Sequence, residues 1–203
     1  MLSSAHVTLG RYRGVPVRMH LFAPLGALAF GRFEFVPGFW LGFFTLVIVH
    51  ELGHAYLVQK RGLRAIEVML HPFGGYCRHE SGSPLDNSII AWGGVLAQAL
   101  VLLLPTVLLI QLGLWPNTSF GAQLAHALVE INLVMIAFNL IPIRPFDGHL
   151  AWKFFSLYGK SRRRSAPKAW QPPPAAESPE AQARRIAEEA LQQAREDLRG
   201  RGQ

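Results

Sequence analysis

Apolar runs of membrane-spanning length dominate the pattern of hydrophobic and polar positions along the chain. The pattern predicts four spanning helices, over about residues 20–35, 38–59, 87–112 and 121–141. Crossing the hydrocarbon core takes about 20 predominantly apolar residues, so the first run is short. Pro24, Arg32 and Glu34 also interrupt it, and Pro105 is expected to kink the third run. A soluble helical protein with a large core is the alternative interpretation.

Basic residues flank these runs unevenly. Lys and Arg cluster before the first run, between the second and third, and after the fourth, whereas the other two connections hold only Arg32. Because Lys and Arg accumulate in cytoplasmic loops, the pattern predicts a multi-pass protein of a bacterial-type inner membrane with both termini cytoplasmic. The first 20 residues lack a continuous apolar core, so no cleavable signal peptide is expected.

Composition supports a membrane protein. Of the 203 residues, 50% are hydrophobic and only 16% are charged, against about 25% charged in an ordinary soluble domain. A net charge of +7 can indicate nucleic-acid binding, but residues 150–203 carry +5 of it, next to and beyond the last apolar run. We therefore expect contact with the lipid bilayer and not with nucleic acid, and the oligomeric state stays open. Cys77 is the only cysteine, which excludes an internal disulfide.

His50, Glu51 and His54 form an HExxH motif inside the second apolar run. On a helix, positions i and i+4 share a face, so both imidazoles can reach one metal ion and Glu51 can reach a water on that ion. The motif alone is a weak signal, because short patterns recur by chance. Within a membrane span, however, unpartnered ionisable groups cost roughly several kcal/mol, which a bound cation offsets. The sequence therefore predicts a metal site inside the membrane, nearer the cytoplasmic side.

A third ligand is predicted after the fourth apolar run, in the segment "FNLIPIRPFDGHL". A catalytic zinc takes three protein ligands and a water. Pro142 and Pro145 break the helix, and Gly148 allows a turn directly after Asp147. The second and fourth runs both lead towards the cytoplasm, so Asp147 emerges on the same side as His54. Taken alone, Asp147 fits an exposed turn better than a metal site.

The combination of these motifs resembles the site-2 protease family of intramembrane zinc metalloproteases. "HELGH" is followed about 90 residues later by "FNLIPIRPFDG", and "HPFGG" and "GGVLAQ" fit two further family segments, with Val95 replacing the usual proline. The resemblance covers about residues 15–155, without a PDZ or CBS domain. It implies an all-α polytopic membrane protein with about four transmembrane helices, a short re-entrant or β-like loop after the catalytic helix, and a cytoplasmic tail.

The resemblance also implies roles for individual residues. It implies one zinc ion held by His50, His54 and Asp147, with Glu51 as general base or acid on the zinc-bound water. Asn139 is implied to hold the substrate backbone, and a sheet-like loop is implied to pair with an unwound substrate. The loop residues implied to contact the substrate are Pro72, Phe73, Gly74 and Gly75.

The activity implied by the resemblance is zinc metalloendopeptidase cleavage within or near transmembrane segments of membrane proteins, in regulated intramembrane proteolysis. Single-span proteins are the expected substrates. Two alternatives stay open: an inactive family member that binds membrane proteins, and a metal-binding transporter. The intact ligand set and Glu51 argue against the first. The lack of internal repeats argues against the second.

The chain is predicted to have four segments. They are an N-terminal cytoplasmic segment (1–19), a transmembrane metalloprotease core (20–158), a basic Pro-rich linker (159–178) and a C-terminal helical tail (179–203). In the fourth run, His126, Glu130 and Asn132 are predicted to form a packing or gating hydrogen-bond network; a second metal site is the less favoured interpretation. Gly93 and Ala97 have the spacing of small residues at a helix–helix contact.

Overall fold

The structure, a computed structural model, describes residues 6–165 and residue 188. The chain divides into two units, Met1–Arg164 and Ser165–Gln203, and the following description concerns the first. The predicted tail helix lies outside the described residues except for residue 188. Most of the predicted linker lies outside them too, and its first residues belong instead to a helix that ends at Ser165.

A four-stranded sheet occupies one end of the core, in the order β1-β2-β3-β4. The strands are β1 His6–Tyr12, β2 Val15–His20, β3 Ala65–His71 and β4 Gly74–His79. β2 and β3 run parallel, with Val17 opposite Val68, and the other pairs are antiparallel. Alternate side chains of β2 and β3 point into the core, as the pleat of a strand requires. The sheet departs from the all-α expectation, which allowed only a β-like loop.

The predicted first span, residues 20–35, does not form one long helix. His20 is the last residue of β2, and the helix α1 covers only the eight residues Ala23–Phe30. Pro24 lies in its first turn, where its missing N–H costs no hydrogen bond. The helix ends at Gly31, and Arg32 and Phe33 then take positive φ values of 57° and 64°. The first residue of the predicted run thus belongs to the sheet, where His20 pairs with His6, and the positive φ values after Gly31 end the helix before residue 35.

Three helices are long and apolar enough to cross a membrane, judged by length and composition: Pro37–Lys60, Pro84–Gln111 and Ser119–Asn139. The first is α2. The second contains α3 Pro84–Ala97, a π-helical segment Gln98–Leu103 and α4 Leu104–Gln111. The third contains α5 Ser119–His126, a π-helical segment Ala127–Ile131 and α6 Asn132–Asn139. Their bounds agree with the second, third and fourth predicted runs to within three residues.

Glycines bring these helices into close contact. A Cβ on Gly53 of α2 would lie 2.2 Å from the carbonyl oxygen of Gly93 and 2.6 Å from Cβ of Ala97, both on α3. This contact confirms the predicted packing role of Gly93 and Ala97. A Cβ on Gly42 would lie 2.4 Å from Cβ of Ala127 in the third long helix. The backbone of α2 is thus held against both other long helices, and its histidine-bearing turns are buried between them.

Two short helices complete the described core, α7 Gly148–Ala151 and α8 Lys153–Ser165. A Cβ on Gly148 would lie 2.3 Å from the carbonyl oxygen of Leu140, so glycine lets α7 return against the end of α6. The indole of Trp152 donates a hydrogen bond to the same carbonyl, at 2.7 Å. Trp92 of α3 donates to the carbonyl of Ala151, at 3.0 Å. These contacts fix the turn that carries Asp147.

Candidate metal centre

His50, His54 and Asp147 meet at one point between α2 and the start of α7. Asp147 Oδ2 lies 3.0 Å from His50 Nε2 and 3.2 Å from His54 Nε2, and the two Nε2 atoms are 3.1 Å apart. Both histidines are buried, at 5% and 7% exposure. The structure thus brings together the three residues that the sequence nominated as ligands, although Asp147 is 93 residues away from His54 along the chain.

The outward-facing ring nitrogens of the two histidines are both hydrogen-bonded to carbonyl oxygens. His50 Nδ1 lies 3.0 Å from Gln98 Oε1, and His54 Nδ1 lies 2.8 Å from the backbone oxygen of Ile90. A carbonyl oxygen accepts hydrogen bonds, so each Nδ1 carries a proton, and Nε2 is the ring atom left to bind a metal ion. Two such nitrogens and a carboxylate oxygen converge, an arrangement that a cation stabilises.

The size of this triangle suits zinc. Ligand atoms about 2.0–2.2 Å from a tetrahedral ion lie roughly 3.3 Å from one another, close to the 3.0–3.2 Å found here. Two imidazoles and one carboxylate are also a donor set that catalytic zinc sites use. The residues present therefore fit a zinc ion.

Gln98 and Ile90 were not predicted as parts of the site. Their oxygens fix the tautomers of the two histidines, and such outer contacts are a regular feature of histidine metal sites. Gln98 is completely buried, in the π-helical segment of the second long helix. The sequence held one signal for it, since Gln98 is the only strongly polar side chain between residues 93 and 110. Ile90 contributes its backbone oxygen, which every residue has, so the sequence gives no signal for this contact.

Glu51 lies next to these ligands and against the sheet. It is buried, at 4% exposure. A Cβ on Gly75 of β4 would lie 2.6 Å from Cγ and 2.7 Å from Oε1 of Glu51, so only glycine lets the strand approach the carboxylate this closely. A similar contact exists behind His50, where a Cβ on Gly94 would lie 2.4 Å from the imidazole ring. The strand β4 thus borders the side chain that was predicted to move protons.

A cavity of about 570 Å³ opens at this point. It is lined by His50, Glu51, His54 and Asp147, together with residues of β4, α6 and α1. Among the predicted substrate-binding residues, Phe73, Gly74, Gly75 and Asn139 line it as well. Pro72 does not, and lines instead a neighbouring cavity of about 450 Å³ beside α1. The roles of all five stay predictions.

Two of the titratable side chains that the sheet contributes to the cavity wall have shifted pKa values. Burial, together with the nearby negative charge of Glu51, raises the pKa of the Cys77 thiol to about 12. Burial, together with the charge of His20, lowers the pKa of His71. The thiol and the imidazole are therefore both held in their neutral forms at pH 7, so neither adds a charge to the cavity.

The network predicted in the fourth apolar run divides into two separate parts. Asn132 is fully buried and donates hydrogen bonds to the carbonyls of Leu128, at 3.1 Å, and Gln98, at 3.4 Å. His126 and Glu130 form an exposed pair 2.8 Å apart, on another face of the same helix. Asn132 therefore has a packing role beside the metal centre, and the exposed pair has no part in that packing.

The sequence and the fold of this chain are both similar to those of proteins named as proteases. The chain is 27% identical over 148 residues to a zinc metalloprotease of Methanocaldococcus jannaschii, covering 70% of this chain and 43% of that protein. It is 32% identical over 107 residues to a Synechocystis sp. protein with a provisional zinc metalloprotease name, covering 52% and 27% respectively. The solved structure of a site-2 protease from M. jannaschii superposes with a TM-score of 0.57 and 22% identity, covering 76% of this chain and 72% of that one. No protein-family model matches.

The chain therefore shares its fold with the solved site-2 protease and is similar in sequence to proteins named as zinc metalloproteases. These matches confirm the family resemblance that the motifs carry. The chain spans less than half the length of the curated relatives that it matches.

Proposed function

We propose that this protein is an intramembrane zinc metalloendopeptidase, which cleaves peptide bonds within or near transmembrane segments of other membrane proteins. One observation carries the proposal: three lone-pair donors, from His50, His54 and Asp147, converge beside the buried carboxylate of Glu51. They do so inside a cavity framed by helices of membrane-spanning length. One zinc ion per chain satisfies this donor set.

The residues divide the chemistry among them. His50, His54 and Asp147 hold the metal, and Gln98 and the Ile90 carbonyl keep both imidazoles in the tautomer that binds it. A zinc ion held by these residues would supply Lewis-acid chemistry, polarising the scissile carbonyl and lowering the pKa of the attacking water. Glu51 takes the proton of the attacking water and delivers it to the leaving amine. Burial of Glu51 against Gly75 keeps its carboxylate in position for both transfers.

The sheet supplies a surface for the substrate backbone. Within the described residues, β4 pairs only with β3, so its other edge has unpaired backbone groups. Gly74, Gly75 and Tyr76 of that strand line the cavity, and Asn139 lines it from α6. A substrate helix must unwind before its backbone can be attacked, and pairing with β4 replaces the hydrogen bonds that it loses. We assign this role to β4 and the turn at Phe73, with Asn139 as a further contact.

The proposed orientation places both termini in the cytoplasm of a bacterial-type cell, with the site open to water on that side. The basic residues after α2 and after α7 support this orientation. So does the parallel pairing of β2 with β3, because it puts the N-terminal strands at the Lys60 end of α2. The strand β2 and the short helix α1 then lead together to the opposite end, where α2 begins.

Zinc content and cleavage measured together test the proposal. We expect the purified protein in lipid nanodiscs to hold one zinc per chain and to cleave a single-span substrate, whereas Glu51→Gln keeps the zinc and loses cleavage. Glu34→Gln is a matched control, because Glu34 lies in an exposed loop outside the cavity. Zinc without cleavage of any substrate in a broad panel favours the inactive, membrane-protein-binding alternative. Cleavage that survives Glu51→Gln refutes the proposed role of Glu51.

A further inference from the structure

Glu130 occupies an unusual position for a carboxylate. It is the twelfth of the 21 residues of the long helix Ser119–Asn139, so it lies near the middle of a candidate membrane span. Its side chain is 71% exposed, and the one hydrogen bond that it makes within the described residues is to His126 Nδ1, at 2.8 Å. A carboxylate facing lipid is costly, and ionisable residues in spans mark functional surfaces. The pair therefore needs a polar partner from outside the described core.

The pair lies on the same stripe of the helix as the mouth of the active-site cavity. His126, Glu130, Val134 and Phe138 follow one another at intervals of four residues, and all four are exposed. Positions i and i+4 share a helix face. Val134 and Phe138 line the cavity that holds the metal site. A helix that approaches the cavity from the side along this stripe therefore meets Glu130 as well.

The contact between α2 and the third long helix gives the depth of the pair relative to the metal site. Gly42 and Ala127 lie side by side. With about 1.5 Å of rise per residue, His50 lies about 12 Å beyond that level towards the Lys60 end, and Glu130 about 4.5 Å beyond it. Glu130 is thus about 7 Å further from the Lys60 end than His50. In a helical substrate this distance corresponds to about five residues.

We propose that Glu130, held by His126, recognises an arginine or lysine in the transmembrane segment of the substrate. The basic residue would lie about five residues from the scissile bond, on the side proposed to be external. This inference rests on the proposed function and adds a specificity determinant to it. The chemistry is that of a carboxylate in a low-dielectric setting, which a cationic hydrogen-bond donor satisfies better than water or lipid can.

A binding assay tests this assignment without requiring turnover. The full chain carrying Glu51→Gln is placed in nanodiscs and titrated with labelled single-span peptides. Each peptide carries one arginine in the half of its transmembrane segment proposed to lie on the external side of the scissile bond, and the position of the arginine differs from peptide to peptide. A matched control peptide carries leucine at the same position. We expect an arginine at one position to tighten binding about fivefold to tenfold, within the range of polar contacts in membranes. Adding Glu130→Gln should reduce the arginine-to-leucine ratio to about one, and Glu130→Arg should transfer the preference to a peptide with glutamate.

The controls separate recognition from folding. Gln111→Leu removes an exposed polar side chain on another span and should leave the ratio unchanged. Glu130→Asp, which keeps the charge, should retain part of the preference, and unchanged zinc content should show that each variant is folded.

Equal affinity for arginine and leucine peptides at every position would overturn the proposal. A preference that survives Glu130→Gln would overturn it too. So would a dimer in wild-type nanodiscs that Glu130→Leu converts to monomers, because a second copy would then cover this face. If the wild type cleaves none of the bound peptides, the proposed protease function fails, while the affinity ratio still decides the role of Glu130.

Discussion

Two histidine-containing pairs in this chain share the same spacing and differ in almost everything else. His50 and His54 lie four residues apart on α2, as His126 and Glu130 do on the third long helix. The first pair is buried, its outer nitrogens are fixed by Gln98 and Ile90, and Asp147 arrives from a distant turn. The second pair is exposed, and within the described residues neither side chain has a comparable set of partners.

The difference shows what turns an i, i+4 pair into a metal site. Spacing puts two side chains on one helix face, which both pairs achieve. Metal binding also needs a third donor and outer contacts that fix the ligands. Among the described residues, only the pair on α2 has both, because Gly94 lets α3 approach His50 closely and Gly148 lets the turn with Asp147 return against α6. Spacing alone therefore does not make a metal site.

Removing a ligand from the buried pair gives the largest expected effect. His54→Ala and Asp147→Ala should each lose the stoichiometric zinc, because two remaining donors cannot replace a three-residue site. His126→Ala, in the exposed pair, should retain the zinc. Metal analysis of the purified variants measures this directly. Stoichiometric zinc in either ligand variant would mean that the two pairs do not differ as described.

The close approach of β4 to Glu51 should matter for turnover and not for metal binding. Gly75→Ala places a Cβ within 3 Å of the Glu51 side chain. A displacement of about 1 Å at a catalytic group can cost on the order of 100-fold in rate. We expect a loss of that size in substrate cleavage, with zinc content unchanged.

Gly10→Ala is the matched control for Gly75→Ala. Gly10 also lies in the sheet, and a Cβ added there would meet no atom within 4 Å. Equal cleavage by Gly75→Ala and the wild type would show that β4 does not constrain Glu51.

The outer contact of His50 should have a smaller effect, on zinc affinity. Gln98→Leu removes the acceptor that fixes the His50 tautomer, and such changes typically weaken zinc binding about 10-fold to 100-fold. Gln98→Glu keeps an acceptor oxygen and should bind zinc more tightly than Gln98→Leu does. Competition with a chromogenic chelator gives the dissociation constants. If Gln98→Leu bound zinc as tightly as the wild type, the contact with His50 would have no function in metal binding.

The smallest effect concerns the environment of the cavity wall. Because burial raises the pKa of Cys77 to about 12, its reactive thiolate form is scarce at neutral pH. The rate of alkylation by iodoacetamide should rise about tenfold per pH unit from pH 7 to about 10 without levelling off, whereas a thiol of ordinary pKa levels off near pH 9. Mass spectrometry of the labelled protein follows this rate. A plateau near pH 9 would show that Cys77 is as solvated as an ordinary surface thiol.

The parts of this structure that the sequence predicted depend on local pattern. Three long helices follow from uninterrupted apolar runs, and the ligand face of α2 follows from the spacing of His50 and His54. The proximity of Asp147 to His54 followed from topology, because α2, which carries His54, and the long helix that precedes Asp147 lead to the same end of the core. The proline-rich segment then predicted a turn at that end.

The parts that were missed depend on pairing between distant segments. Val17 lies opposite Val68, and no periodicity within residues 6–20 reveals a partner that far away. The apolar residues that follow β2 were therefore assigned to a membrane helix. The contacts of Gln98 with His50 and of Trp152 with the Leu140 carbonyl depend equally on tertiary packing. The local sequence makes Trp152 an ordinary turn residue, and the polarity of Gln98 does not indicate which residue it contacts.

The parallel pairing of β2 with β3 also orders the steps by which the protein matures. Since β3 and β4 follow α2 in the chain, the ribosome must produce about 80 residues before the N-terminal hairpin has a neighbour to join. Until then the edge of β2 that faces β3 stays unpaired. The arrival of the β3–β4 hairpin therefore completes the sheet and the wall beside Glu51 in the same event during biosynthesis.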